Sequence, residues 1–320
     1  MDIHDHLPWT GLGVRGVLEL ELIQRTEGPA HDTAHAWDAT GMRFAIKTSP
    51  QHTTYDDMLA VWRAADDIEL FESAWTFDHF YPIFSDWTGS CLEAWVTTTA
   101  LAQATHRIRV GVLVTGNVYR HPAVLANMAA SLDVISRGRL ELGIGAGWNQ
   151  QECDAYGIDL PPLKERFDRL DEACEVIVKL LTETEADFDG RYYQLTAARC
   201  EPKPVQRPHP PICIGGGGER RTLRAVARWA QHWNVPGGGV DVFAAKRKVL
   251  EEHCTAVGRD PSEITTSTHL RLDPSNLDAV VDEATAFADA GLDLGIVYLP
   301  PPHTPAVLEP LATALASLAD

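Results

Sequence analysis

The stretch RIRVGVLVTGNVYRHPAVLANMAASLDVISRGRLELGIGAGW, residues 107–148, decides the fold. Ile108–Val114 is an almost unbroken apolar run of strand length, the pattern of a strand buried on both faces. Pro122 opens a helix at the position where its missing N–H costs nothing. Val124, Leu125, Met128, Leu132 and Ile135 give that helix an apolar stripe, and Gly138 ends it. Arg139–Ile144 is a second strand. A strand, a helix and a further strand of this kind form a right-handed parallel crossover.

The alternation extends in both directions. Upstream, Arg43–Thr48 and Ser73–Phe77 read as strands, with helices from Tyr55 to Leu70 and from Leu92 to Ala104. Downstream, Ile212–Ile214, His232–Val235, Ile264–Leu270 and Leu294–Tyr298 read as strands. Helices over Leu163–Leu181, Glu219–Trp229, Val242–Val257 and Leu277–Ala290 separate them. About eight βα units in this length predict a closed (β/α)8 TIM barrel over residues 42–320, with an open doubly wound sheet as the rival. An insertion near 184–211 follows strand four. In it Asp189-Gly190 signals a type I′ hairpin turn, and Pro202–Pro211 forms a proline-rich connector. Residues 1–41 continue no pattern and read as a loosely ordered extension. His31 and His35 there would share one helix face, the spacing of a metal pair, but the extension is the plainer reading and no metal site is expected.

A net charge of -18 leaves no basic surplus for nucleic acid or an anionic membrane. No signal peptide or long apolar span stands out, and the six cysteines include no Cys-x-x-Cys pair. The expectation is a soluble, cytoplasmic protein without a nucleic-acid or membrane partner.

In such a barrel the loops that follow the strands build the active site. Four of them carry unusual residues: Thr76-Phe-Asp-His-Phe80, Thr115-Gly-Asn117 with Tyr119-Arg-His121, Gly143-Ile-Gly-Ala-Gly-Trp-Asn149, and Gly215-Gly-Gly-Gly-Glu-Arg-Arg221. Gly215–Gly218 can aim backbone N–H groups at a phosphate in front of a helix N-terminus, with Arg220, Arg221 and Arg224 beside it. His79 can exchange a proton near neutrality, whereas His121, ahead of Pro122, belongs to a helix start. Trp148 is either a wall for a flat ring or a packing residue. Glu141-x-Gly-x-Gly-x-Gly147 also looks like the nucleoside motif of Rossmann methyltransferases, but three βα units precede it and Pro161-Pro162 stands where an acidic strand end belongs.

Taken together, Trp75–Phe80, Leu113–Asn117 with Tyr119–Leu125, Ser136–Trp148 and Ile214–Arg221 resemble the luciferase-like monooxygenase family, in particular its branch using the deazaflavin coenzyme F420. The resemblance implies a barrel with an insertion after strand four and a non-prolyl cis peptide around Val114–Asn117 supporting the deazaflavin ring. It implies hydride transfer to or from an organic substrate, with His79 catalytic beside the ring. Its cofactor-binding set is Asp78, Thr115, Gly116, Asn117, Gly145, Gly147, Trp148, Gly216, Gly217, Gly218 and Arg220. FMN-dependent monooxygenation is the alternative inside the family. A methyltransferase and a non-catalytic cofactor-binding protein stand outside it, and homodimers are common among resembling proteins. Ile83 and Trp148 replace the tryptophan and glutamate of the sugar-phosphate dehydrogenases, and Lys47 replaces the strand-one glutamate of the methylenetetrahydropterin reductases. The resemblance therefore carries the substrates of neither branch over to this chain.

Overall fold

The computed structural model describes residues 41–319. The extension expected over 1–41, with His31 and His35, lies outside the described residues apart from Gly41. Eight parallel strands close into a barrel. They are β1 (Arg43–Thr48), β2 (Phe71–Thr76), β3 (Arg109–Val112) with its short continuation β4 (Thr115–Gly116), β5 (Leu140–Gly145), β8 (Ile212–Gly215), β9 (His232–Val235), β10 (Thr265–Arg271) and β11 (Leu294–Leu299). β3 pairs with β5, and β11 returns to β1 with Arg43 opposite Leu294 and Thr48 opposite Leu299. The closed ring settles the fold as a (β/α)8 barrel and removes the doubly wound alternative. With it goes the methyltransferase context for Glu141–Gly147, which runs along and just past the end of the fourth barrel strand.

Helices α1 (Tyr55–Asp67), α2 (Ala94–Gln103), α3 (Pro122–Ser136), α5 (Leu163–Thr182), α6 (Thr222–Trp229), α7 (Gly239–Val257), α8 (Leu277–Asp289) and α9 (Leu308–Leu315) cover the outside. The α3 prediction starts at the right residue because Pro122 fixes it. His121 is the N-cap, its ring Nδ1 accepting from the Ala123 amide at 3.2 Å. Two helices escaped the sequence reading: α4 (Gln150–Tyr156), two turns long, and α9 beyond the last strand.

The insertion holds β6 (Ala186–Asp189) and β7 (Gln194–Ala198) in an antiparallel hairpin. Its turn is not the two-residue type expected from Asp189-Gly190. Residues 190–193 form a longer loop gathered around Glu172, whose carboxylate accepts from the amides of Arg191, Tyr192 and Tyr193 at 2.9, 2.9 and 3.2 Å. The proline-rich connector is tied down by buried Asp133 of α3, which accepts from the Val205 and Gln206 amides and the Gln206 side chain.

Inside the barrel, toward the starts of the strands, lies a sealed polar network. Glu141 takes Arg109 Nε at 2.8 Å and His232 Nδ1 at 2.9 Å. His232 Nε2 reaches Ser267 Oγ at 2.7 Å, and Asn234 donates to the same oxygen at 2.9 Å. Burial works against both charges. For Glu141 the hydrogen bond from His232 and the Arg109 charge outweigh it and bring the carboxyl down to about 2. For His232 the Cys213 sulfur and the Glu141 carboxylate outweigh it and bring the imidazole up to about 10. Above this network Ala45, Trp75, Leu113, Cys213, Leu294 and Ile296 pack as an apolar plug.

Candidate active site

The mouth of the barrel is set by how each strand ends. After β2 the chain turns at Phe77, Asp78 and His79. Asp78 is pinned by Arg120, which donates from Nη1 to Oδ2 at 2.5 Å and from Nη2 to Oδ1 at 3.2 Å and also holds Glu93 at 2.6 Å. Both Asp78 oxygens are thus engaged by the protein, and the ion pair clamps the loop in place.

His79 follows this clamp, buried but for an edge. Its Nδ1 lies 2.8 Å from Glu152 Oε2. Tyr119 donates its hydroxyl to the same oxygen at 2.7 Å, and the Phe80 and Tyr81 amides donate to Oε1. Burial would raise the Glu152 carboxyl, but the hydrogen bonds from His79, the Phe80 amide and Tyr119 outweigh it and hold it below its ordinary value. Against a carboxylate Nδ1 must donate, so in the neutral ring Nε2 is the acceptor. Glu152 sits at the third position of α4, where Asn149 caps the helix by accepting the Glu152 amide at 3.3 Å. The sequence reading passed over Glu152; its signal is Asn149 followed three residues later by a glutamate.

Between β3 and β4 the chain makes a bulge with a non-prolyl cis peptide between Leu113 and Val114. Neighbouring glycines make room for it. A Cβ on Gly143 would sit 1.9 Å from the Val112 carbonyl oxygen, and one on Gly145 or Gly215 would press on the Val114 side chain at 3.0 and 3.1 Å. Gly145 therefore clears space for Val114. Gly147 adopts φ +80°, which favours glycine. Thr115 is buried and accepts from Trp95 Nε1 at 2.8 Å, and Gly116 lies under the Tyr119 ring. Asn117 differs from both. Its amide nitrogen reaches Tyr193 of the insertion hairpin at 3.3 Å, while its buried Oδ1 has no partner. An orphaned buried acceptor is costly unless a ligand supplies the missing donor.

The glycine loop follows β8 and precedes α6. Gly216 holds φ +129°, and a Cβ on Gly218 would lie 2.8 Å from Thr222 Oγ1, so side chains are excluded there by strain and by space. The loop leads into α6, with Arg220 exposed and Arg221 half-buried, 3.4 Å from Asp168. A helix N-terminus with guanidinium groups beside it is an arrangement that could hold a phosphate. Trp148, half-exposed, meets the His79 ring edge-on at 5.4 Å and stacks on Phe84 at 5.7 Å and 5°. Lys47, buried near the end of β1 beside His269 and Tyr298, lies 5.9 Å from the Phe77 ring, which itself meets the His79 ring edge-on at 5.2 Å.

The structure thus brings Asn117, Trp148 and His79 to one end of the barrel with the glycine loop. It gives Asp78, Thr115, Gly116 and Gly145 partners within the protein. Glu152, Tyr119, Tyr193 and Lys47 belong to the mouth although the sequence alone gave them no role. Among the described residues no helix is long and apolar enough to cross a membrane, and no cluster of metal-ligating side chains occurs.

A profile of the luciferase-like monooxygenase family matches residues 41–314. An uncharacterized protein of Mycobacterium tuberculosis is 36% identical over 169 residues, 53% of this chain and 58% of that protein, so the match spans little more than half of that relative's length. The F420-dependent glucose-6-phosphate dehydrogenase of Amycolatopsis mediterranei is 32% identical over 238 residues, covering 72% of this chain and 69% of the relative. Among solved structures, an F420-dependent secondary alcohol dehydrogenase superposes with a TM-score of 0.79 at 19% identity, covering 88% of this chain and 100% of that one. At that identity the likeness is one of fold.

Proposed function

The chain belongs to the luciferase-like monooxygenase family, and from that premise we propose that it is an F420-dependent oxidoreductase exchanging a hydride with an organic substrate. The observation that carries the reading is the pairing, at one end of the barrel, of a glutamate-braced His79 with an Asn117 whose buried Oδ1 lacks a donor. The names of relatives such as the Amycolatopsis enzyme favour the deazaflavin over FMN.

The mouth fits the cofactor. Asn117 Oδ1 would accept from a ring N–H, and the Gly216–Gly218 loop with Arg220 would hold a phosphate. When bound, the deazaflavin supplies two-electron hydride exchange. The chain's own residues do the rest. Glu152 fixes the tautomer and direction of His79, and Nε2 takes the proton from a substrate hydroxyl or returns it to a carbonyl oxygen. Trp148 and Phe84 shield that exchange from water.

Titrating the purified protein with F420 and FMN side by side, followed by fluorescence, tests the reading. Preferential F420 binding is the expected result. Preference for FMN moves the enzyme to the oxygenases, and binding of neither overturns the proposal.

A further inference from the structure

We propose that Lys47 is an anion seat in the mouth, recognising a carboxylate carried by the organic substrate. Calling the ligand a substrate rests on the function proposed above; the seat itself does not.

Lys47 is 5% exposed. Its Nζ donates to the Leu113 carbonyl oxygen at 3.1 Å and lies 3.3 Å from His269 Nε2, over the faces of Tyr298 and Phe77 at 5.6 and 5.9 Å. Among the described residues no carboxylate lies within 4.0 Å of it. A buried ammonium without a counter-ion is costly, so such a group sheds its proton or waits for a partner. Burial brings the Lys47 amine down to about 7, Cys213 of β8 working in the opposite direction. His269 of β10 is held well below its ordinary value by burial, then by Lys47 and Arg271. It is therefore neutral, its Nε2 accepts from Lys47, and its proton sits on Nδ1. Tyr298 of β11, the remaining titratable neighbour, is pushed up by burial.

The third Lys47 N–H has no acceptor among the described residues. A charged N–H left open in this way is what a carboxylate oxygen takes. On a chain of net charge -18, an anionic substrate needs a local cation of this kind. The arriving carboxylate favours the ammonium form, so binding above neutrality draws a proton from solvent.

Benzoate is the probe. Calorimetry of the cofactor-free protein in two buffers of different ionisation enthalpy, at about pH 8, counts the protons taken up. The expected result is binding with an uptake approaching one proton, and an affinity that falls about tenfold per pH unit above about 7. Lys47→Met is expected to weaken binding by about tenfold or more and abolish the uptake. Lys47→Arg, which keeps its charge throughout, is expected to bind without uptake and decides the matter together with the wild-type proton count if the methionine variant fails to fold. No benzoate binding, or the same affinity and uptake in Lys47→Met, overturns the seat. An F420 titration of the same samples separates the two readings: F420 bound without benzoate removes only the anion seat, and benzoate bound without F420 removes only the cofactor reading.

Discussion

The barrel holds two histidine–glutamate pairs of nearly equal length, His79–Glu152 at 2.8 Å and His232–Glu141 at 2.9 Å, and they differ in what the second ring nitrogen meets. His232 Nε2 is closed off by Ser267, itself fully buried and already taking a bond from Asn234. Ser267, His232 and Glu141 have the order of a hydrolytic triad, but a protonated ring cannot act as the base and no substrate reaches the serine. His79 Nε2 lies instead at the mouth, beside Trp148. The same pair is therefore confined to a structural role when sealed by a plug of Trp75 and Leu113, and is open to a ligand when one edge is left free. What separates them is position along the strand: His232 begins its strand, whereas His79 lies beyond the end of its own.

Two substitutions break this comparison most sharply. With the proposed substrate exchange in place, His79→Ala is expected to cost about 10²–10⁴-fold in kcat, the usual worth of a general acid–base group, while F420 still binds. Steady-state kinetics beside a fluorescence titration measure both. Unchanged kcat removes His79 from the chemistry. Glu141→Ala is expected to act on stability instead, by about 3–5 kcal/mol, because it strands buried His232, and half-buried Arg109 beside it, without their counter-ion. Chemical denaturation reads that loss, and a change under about 1 kcal/mol means the network relaxes in the mutant.

The sealed pair also predicts a pH window. His232 is raised from 6.5 to about 10, so its contribution is fully present below the lower value and lost as pH rises through the upper. Glu141 is depressed from 4.5 to about 2, so its contribution is present above 4.5 and lost as pH falls through about 2. Both contributions are complete between those inner limits. Denaturation midpoints measured across the range should show a shoulder there in the wild type that Glu141→Ala lacks.

How much of this was legible beforehand follows from the same distinction. The barrel could be read because buried parallel strands write continuous apolar runs, as at Ile108–Val114, and because Pro122 and Gly138 punctuate the helix between two of them. His79 and the glycine loop could be read because they stand where strands end. Glu152 could not, since it lies 73 residues from His79 and its role exists only once α4 folds over the loop. Tyr193 reaches Asn117 from the insertion hairpin, 76 residues along the chain, its loop shaped by Glu172 and not by Asp189-Gly190 alone. The resemblance implies a cofactor contact at Asp78, and nothing local in the sequence reveals that Arg120 engages both its oxygens.

Glu152→Gln sharpens the comparison at smaller scale. The amide keeps the shape and can still accept from Tyr119, but it removes the charge that orients His79. If Glu152 acts by positioning, kcat should fall about tenfold with KM and the denaturation midpoint little changed. A purely structural role would lower the midpoint and leave kcat of the folded enzyme in place.

The smallest effect is expected at the aromatic pair above His79. Phe84 is 92% exposed and touches Trp148 face to face, so Phe84→Ala removes little buried surface and should change stability by no more than about 0.5 kcal/mol. Its consequence is local. Without the stack, Trp148 is free to turn away from the His79 edge, and water gains access to Nε2. KM should then rise a few-fold with the denaturation midpoint unchanged, whereas a midpoint shift with constant KM would mean that the pair braces the loop and leaves the His79 side of the mouth untouched.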